Sequence, residues 1–267
     1  MRIALAQVAV TTDPAVNLGT VVASIRRAAA SGAELVVFPE ATLCSFARPR
    51  TEVAEPLTGP WATAVTEAAD AAGVGVVVGT FTPGRTPNRV RNTLLATGVG
   101  LRAQYDKLHL FDALGYRESD TIEPGDEVVT VPWGATTLGL TTCYDVRFPE
   151  LYRDLARRGA EVILVPASWA PGPRKVEQWR ALVVARALDA TAWIVAVDQA
   201  QPGRATTGPQ PTGVGHSLVV DPYGEIVAEL GAEADLVVVD LDPARAVEAR
   251  EALPVLRHAR FGVRLDG

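Results

Sequence analysis

The feature that most constrains this chain is a set of short runs built almost wholly from apolar residues: LVVF at 35–38, VGVVVG at 74–79, VILV at 162–165 and WIVAV at 193–197. Successive side chains of a strand point to opposite faces, so a run without polar alternation has to be covered on both. Strands are also expected at 3–8, 93–96, 136–142, 216–220, 226–229 and 236–240. Between them, segments rich in Ala, Arg and Glu predict helices at about 14–30, 60–72, 149–158 and 175–190. Pro14, Pro60 and Pro149 suit the first turns of three of these, where a missing N–H costs nothing. Strands and helices in alternation predict a layered α/β sandwich. The irregular stretches 80–92, 109–127 and 200–213 are bounded by strand signals and show no change of composition. They read as loops within one domain spanning 1–267.

A formal net charge of −6 argues against a general nucleic-acid-binding surface, which has to be basic to neutralise phosphates. No apolar run reaches the roughly 18 residues that span a bilayer. The opening MRIALAQVAV breaks into polar Gln7 instead of continuing as a signal peptide. The expectation is therefore a cytoplasmic protein that works on a small molecule, with neither nucleic acid nor membrane as partner. In a reducing compartment its two cysteines, Cys44 and Cys143, are read as free thiols.

The tripeptide FPE occurs twice, at 38–40 and at 148–150. Glu150 follows Pro149 and opens ELYRDLARRG, a helix pattern with Leu151 and Leu155 on one face and Gly159 at its end. A carboxylate in a first helical turn is favoured by the helix dipole by about 0.3–1 kcal/mol, and a structural role accounts for it. Glu40 leaves a buried strand at its carboxyl end, where ligands bind in α/β sheets, and ATLCSFARP behind it has no helix pattern. A loop carboxylate that caps a neighbour is the alternative for Glu40. Cys143 also ends an apolar strand, and Tyr144 and Asp145 suggest a tight turn in which the thiol leaves the sheet and the next N–H groups face open space. Inert packing is the other reading, and it suits Cys44, as core or pocket wall, better. Lys107, flanked by Leu108 and Leu110, is either a surface lysine or a partly buried one in need of a partner such as Glu40. The three histidines, His109 among them, have neither triad nor metal-ligand spacing, so no metal is expected.

FPE at 38–40, DKLHLFD at 106–112 and CYDVRFPEL at 143–151, in that order, resemble the three catalytic segments of the nitrilase superfamily of carbon–nitrogen hydrolases. IALAQ at the start, RESD at 117–120, EVILVPASW at 161–169 and GHSLVVDPYGE at 215–225 extend the resemblance over nearly the whole chain. The resemblance implies a four-layer αββα sandwich with a Glu–Lys–Cys site, no cofactor, and protomers joined through a helix face into a homodimer or larger homo-oligomer. It implies Cys143 as nucleophile, Glu40 as general base, and Lys107 with the backbone N–H of Tyr144 as the oxyanion hole. Glu118 matches a second carboxylate near the site.

CYDVRFPEL and the closing ALPVLRHAR look most like the branch containing ω-amidase and deaminated glutathione amidase. That implies release of ammonia from a small, linear primary amide bearing a carboxylate, of the 2-oxoglutaramate or deaminated glutathione type. Hydrolysis of an N-carbamoyl amino acid is the alternative reaction, and a non-catalytic binding protein or cysteine redox sensor the alternative class. A substrate carboxylate calls for a cation: Arg147, four residues past the cysteine, and Arg174, beyond VILVP, are the candidates, with Trp169 as a pocket wall. Structural roles compete for both arginines, with Asp145 or Glu150 as partners for Arg147 and the open surface for Arg174.

Overall fold

Two sets of three parallel strands organise the computed structural model, which describes residues 1–202 and 210–261. In chain order the strands are β1 (Arg2–Gln7), β2 (Leu35–Val37), β3 (Gly75–Pro83), β4 (Val90–Gly98), β5 (Ala103–Asp106), β6 (Asp112–Ala113), β7 (Tyr116–Arg117), β8 (Ile122–Glu123), β9 (Thr130–Trp133), β10 (Thr136–Leu140), β11 (Val162–Ala167), β12 (Trp193–Asp198), β13 (Leu218–Val220), β14 (Ile226–Glu229) and β15 (Asp235–Asp240). The helices are α1 (Pro14–Ala30), α2 (Pro60–Ala72), α3 (Pro149–Arg157), α4 (Lys175–Ala190), α5 (Ala244–Ala252) and α6 (Val255–His258).

One sheet runs β15-β1-β2-β3-β4-β5 and the other β14-β13-β12-β11-β10-β9. In each, three parallel strands, β1 to β3 and β10 to β12, are flanked by antiparallel ones. Strand alternation sorts the core into three layers. Ile3, Leu5, Leu35 and Val37 meet Leu138, Leu140, Val162 and Leu164 between the sheets. Ala4, Ala6, Val36 and Val76 lie under α1 and α2, and Ile163, Val165, Ile194 and Ala196 under α3 and α4. The result is an αββα sandwich. No described helix is long and apolar enough to cross a membrane.

Local chemistry explains the crossover helices. Asp13 accepts the Ala15 N–H at 2.8 Å, Pro14 follows it, and Val21, Ile25 and Ala28 then fall on one face of α1. Pro60 starts α2, and Gly73, at φ 70°, ends it in the left-handed conformation that favours glycine.

Three differences from the sequence reading have physical causes. The expected loop over 80–92 is largely strand, since β3 runs to Pro83 and β4 begins at Val90. Within the strand part Thr82 is buried, and its hydroxyl lies 2.8 Å from that of Thr93 on the neighbouring strand. The stretch 109–127 holds β6, β7, β8 and a 3-10 turn at Glu118–Asp120. The strand expected from 216 begins only at Leu218, because His216 takes φ 54°. Residues 203–209 of the third expected loop lie outside the described residues.

Candidate active site

Glu40 reaches the centre of the molecule because β2 ends three residues before it. The Gly79 N–H donates to the Pro39 carbonyl at 3.1 Å and the Leu43 N–H to that of Gly79 at 3.1 Å. Ala41 turns the chain at φ 54°. A Cβ on Gly79 would stand 2.4 Å from the Ala41 nitrogen and 2.7 Å from Glu40 Cα, so glycine is required on the neighbouring strand. The Gln199 side-chain amide donates to the Glu40 carbonyl at 2.8 Å.

Cys143 opens a 3-10 turn, Cys143–Arg147, at the end of β10, and its φ of 48° is uncommon for a non-glycine residue. Buried Asp145 holds that turn. It accepts the Thr142 N–H at 2.8 Å, the Tyr105 hydroxyl at 2.6 Å and the His109 N–H at 3.1 Å, and the His109 ring nitrogen Nδ1 lies 2.7 Å away. His109 therefore braces the Cys143 turn from behind. As the second residue of the turn, Tyr144 has an N–H that the turn itself leaves unpaired.

Lys107 follows β5, its N–H donating to the Asn92 carbonyl at 2.9 Å. Its Nζ lies 2.8 Å from both Glu40 Oε1 and Glu118 Oε2. Asn92 Nδ2 closes a four-membered ring by donating to Glu40 Oε1 at 2.7 Å and to Glu118 Oε1 at 2.9 Å. Backbone N–H groups complete both carboxylates, Ser168 to Glu40 Oε2 at 2.9 Å and Phe111 to Glu118 Oε2 at 2.7 Å. Cys143 Sγ points at the Ser168 carbonyl, 3.7 Å away, and the Glu40 carboxyl bears on the thiol through its charge.

Burial decides the charge states. Glu40 is 1% exposed, and burial pushes its carboxyl above the ordinary range against the opposing pull of Lys107. Burial alone would lower Lys107, but Glu118 and Glu40 reverse that and hold it well above its usual value. Burial, and then the Glu40 charge, push the Cys143 thiol well up. Burial thus favours the neutral form of the thiol, and the two glutamates favour the charged form of Lys107 beside them.

These side chains line a cavity with about 340 Å³ of space not filled by atoms. Phe46, Phe111 and Tyr116 form one wall, and burial pushes the Tyr116 hydroxyl up to about 12. The other wall is Trp169, with the Arg147 guanidinium 5.1 Å and the Lys175 ammonium 4.8 Å from its ring centroid. Arg147 pairs with neither Asp145 nor Glu150; it donates to Gln178 Oε1 at 3.1 Å. Burial, and then Arg147, lower Lys175 from its usual value, and its backbone carbonyl accepts the Trp169 indole N–H at 3.0 Å. Arg174 does not line the cavity. It sits exposed at the start of α4 with φ 57°, and that left-handed turn puts its neighbour Lys175 inward instead. Asp198, at the end of β12, accepts the Trp169 and Val214 N–H groups at 2.7 Å each, and burial pushes its carboxyl up to about 8.

The structure therefore brings Glu40, Lys107, Glu118, Cys143, Tyr144, Arg147 and Trp169 together and leaves Arg174 out. Cys44 is core: its Sγ lies 3.5 Å from the Thr12 carbonyl, away from the cavity. Glu150 is exposed on the first turn of α3. Sequence reasoning missed Asn92, Ser168, Lys175 and Asp198. Asn92 falls at the end of the expected loop 80–92, one residue before the strand expected from 93, and carries no signal of its own. Among the described residues, no group of three or more His, Cys, Asp or Glu side chains is arranged to hold a metal ion.

The family model for carbon–nitrogen hydrolases matches residues 2–251. Hydrolase Rv0480c of Mycobacterium tuberculosis is 49% identical over 275 residues, covering 100% of this chain and 98% of that one. Human omega-amidase NIT2 is 31% identical over 269 residues, covering 97% of this chain and 95% of its own. Among solved structures, the cysteine-to-serine mutant of the Nesterenkonia AN1 amidase, from the nitrilase superfamily, superposes with a TM-score of 0.79 at 29% identity, covering 95% and 96% of the two chains.

Proposed function

The chain belongs to the carbon–nitrogen hydrolase family, and from that premise we propose that it hydrolyses a small primary amide bearing a carboxylate, releasing ammonia through a cysteine thioester. The observation that carries the reading is the convergence of a neutral thiol, a buried carboxylate and a buried lysinium on one small cavity.

In this reading Glu40 takes the proton of Cys143 as sulfur bonds to the amide carbon. The C=O pair moves onto oxygen, where Lys107 and the Tyr144 N–H stabilise the negative charge; losing one such donor typically costs about 2.7–4 kcal/mol. Collapse of the intermediate expels nitrogen, which takes the proton from Glu40 and leaves as ammonia. Water, deprotonated by Glu40, then attacks the thioester and returns the thiol and a carboxylic acid. Glu118 keeps Lys107 charged and in place.

Arg147 and Lys175, neither held by a carboxylate of the described residues, flank Trp169 as a cationic wall for the substrate's own carboxylate. A short diacid monoamide of the 2-oxoglutaramate type meets both requirements, and likeness to an omega-amidase supports it; a substrate of the deaminated glutathione type would follow the same steps with a dipeptide amine, and not ammonia, as the leaving group. The same reading carries a homodimer joined through a helix face, checked by light scattering. Ammonia release across a panel of ω-amides and matched neutral amides tests the chemistry. Arg147→Met and Lys175→Met should each raise KM for the acidic amide about 10- to 100-fold and spare the neutral one, as expected for loss of a charged contact. An equal loss on both amides would show that these cations support the site's shape and not charge recognition.

A further inference from the structure

We propose that Asn92, through the two hydrogen bonds of its side-chain amide, is the positioning residue that favours the ionised form of Glu40 and reserves Glu40 Oε2 as the atom that accepts the Cys143 proton. The proposal rests on the amidase reading above, and it follows from counting donors.

Glu40 Oε1 accepts two charged or polar donors, Lys107 Nζ at 2.8 Å and Asn92 Nδ2 at 2.7 Å. A carboxylate oxygen has about two lone-pair directions in its plane, so Oε1 has none left for a proton. Oε2 accepts only the Ser168 N–H, at 2.9 Å. The Ser168 carbonyl receives Cys143 Sγ at 3.7 Å, so one residue brackets both the free side of Oε2 and the thiol. The transfer is then specific: the S–H bond breaks, its electron pair stays on sulfur, and the proton bonds to Oε2.

Asn92 also fixes the charge state. Its nitrogen has two N–H groups, and each is spent on a carboxylate oxygen, one on Glu40 and one on Glu118. Glu40 is buried and shares one lysine with a second carboxyl, and both circumstances favour its uptake of a proton. Neutral donors are the remaining compensation, since hydrogen bonds to the charged form favour it. The ionisable groups facing Glu40 are Lys107 after β5, Glu118 on its 3-10 turn, Cys143 on the nucleophile turn, Tyr116 of β7 and Asp198 at the end of β12. Only Lys107 among them is a cation. Asn92 cannot be traded for another acidic or apolar residue without moving that balance.

The test is the acid limb of two pH profiles, measured on the native protein, Asn92→Ala and Asn92→Ser. One profile is kcat/KM for the best amide; the other is the rate of Cys143 alkylation by iodoacetamide, which needs no turnover. Loss of the amide donors should move the acid limb of both upward by about one pH unit in Asn92→Ala, about a tenfold change in the proton equilibrium. Asn92→Ser, which keeps one hydroxyl donor and serves if the alanine protein fails to fold, should shift by less. A fall in kcat with both acid limbs unmoved would overturn the proposal and reduce Asn92 to packing. If the native protein turns over no amide, the functional reading fails, and the alkylation profile still decides the role of Asn92.

Discussion

The same three residues, Phe-Pro-Glu, meet opposite fates at 38–40 and at 148–150. In the first copy Phe38 is fully buried, its N–H donates to the Val77 carbonyl, and Glu40 receives donors from Lys107, Asn92 and Ser168. In the second, Phe148 stacks on the His109 ring with centroids 3.6 Å apart, Pro149 starts α3, and Glu150 faces solvent. The difference lies in what precedes each copy. β2 is still inside the sheet when the first begins, whereas a 3-10 turn has already carried the chain off β10 before the second. Composition of a tripeptide does not make a site; the strand end that delivers it does.

The largest effect expected is at the thiol that precedes the second copy by five residues. Cys143→Ala should fold as the native protein does and release no detectable ammonia, because in the proposed mechanism only the nucleophile is removed; substantial turnover would end the thiol mechanism. Next comes the comparison itself. Glu40→Gln keeps the shape and removes the proposed base, and a loss of about 10²–10⁴ in kcat/KM is expected. Glu150→Gln should stay within about twofold, as expected for an exposed first-turn carboxylate whose modest dipole interaction salt screens. A dead Glu150→Gln protein beside an active Glu40→Gln one would reverse the assignment.

Gly79→Ala sharpens the comparison without touching a reacting atom. Its Cβ collides with the backbone that holds Glu40, and a displacement near 1 Å can cost about 100-fold in kcat/KM, a loss that stability alone would not produce. Smallest in amplitude is the pH dependence. Glu40 has to be ionised to act, and burial raises its pKa, so kcat/KM should climb with pH through a limb above 4.5 and fall away as pH drops below it. The Cys143 thiol is raised as well, so no thiolate limb should appear at or below 9.0 in the iodoacetamide profile. A second alkylation limb below the ordinary cysteine value, in addition to the Glu40 limb that Asn92→Ala displaces, would refute the neutral-thiol description.

Much of this molecule follows from the chain alone, where the physics is local. Unalternating apolar runs require sheets covered on both faces, proline marks the starts of helices, and the helix pattern after Glu150 separates it from Glu40. The order of three short segments added the chemistry, through likeness to a family and not through periodicity. Only the tertiary structure decided the rest. The Ser168 N–H reaches Glu40 across 128 residues and Asn92 reaches it across 52, and no spacing rule links such positions. Lys175, and not Arg174, faces the cavity because a single left-handed residue begins α4 and sets which neighbour turns inward. Hydrophobic periodicity records which side of a strand or helix is buried, whereas a catalytic hydrogen-bond ring depends on which strand ends meet, and that is settled only when two sheets pack face to face.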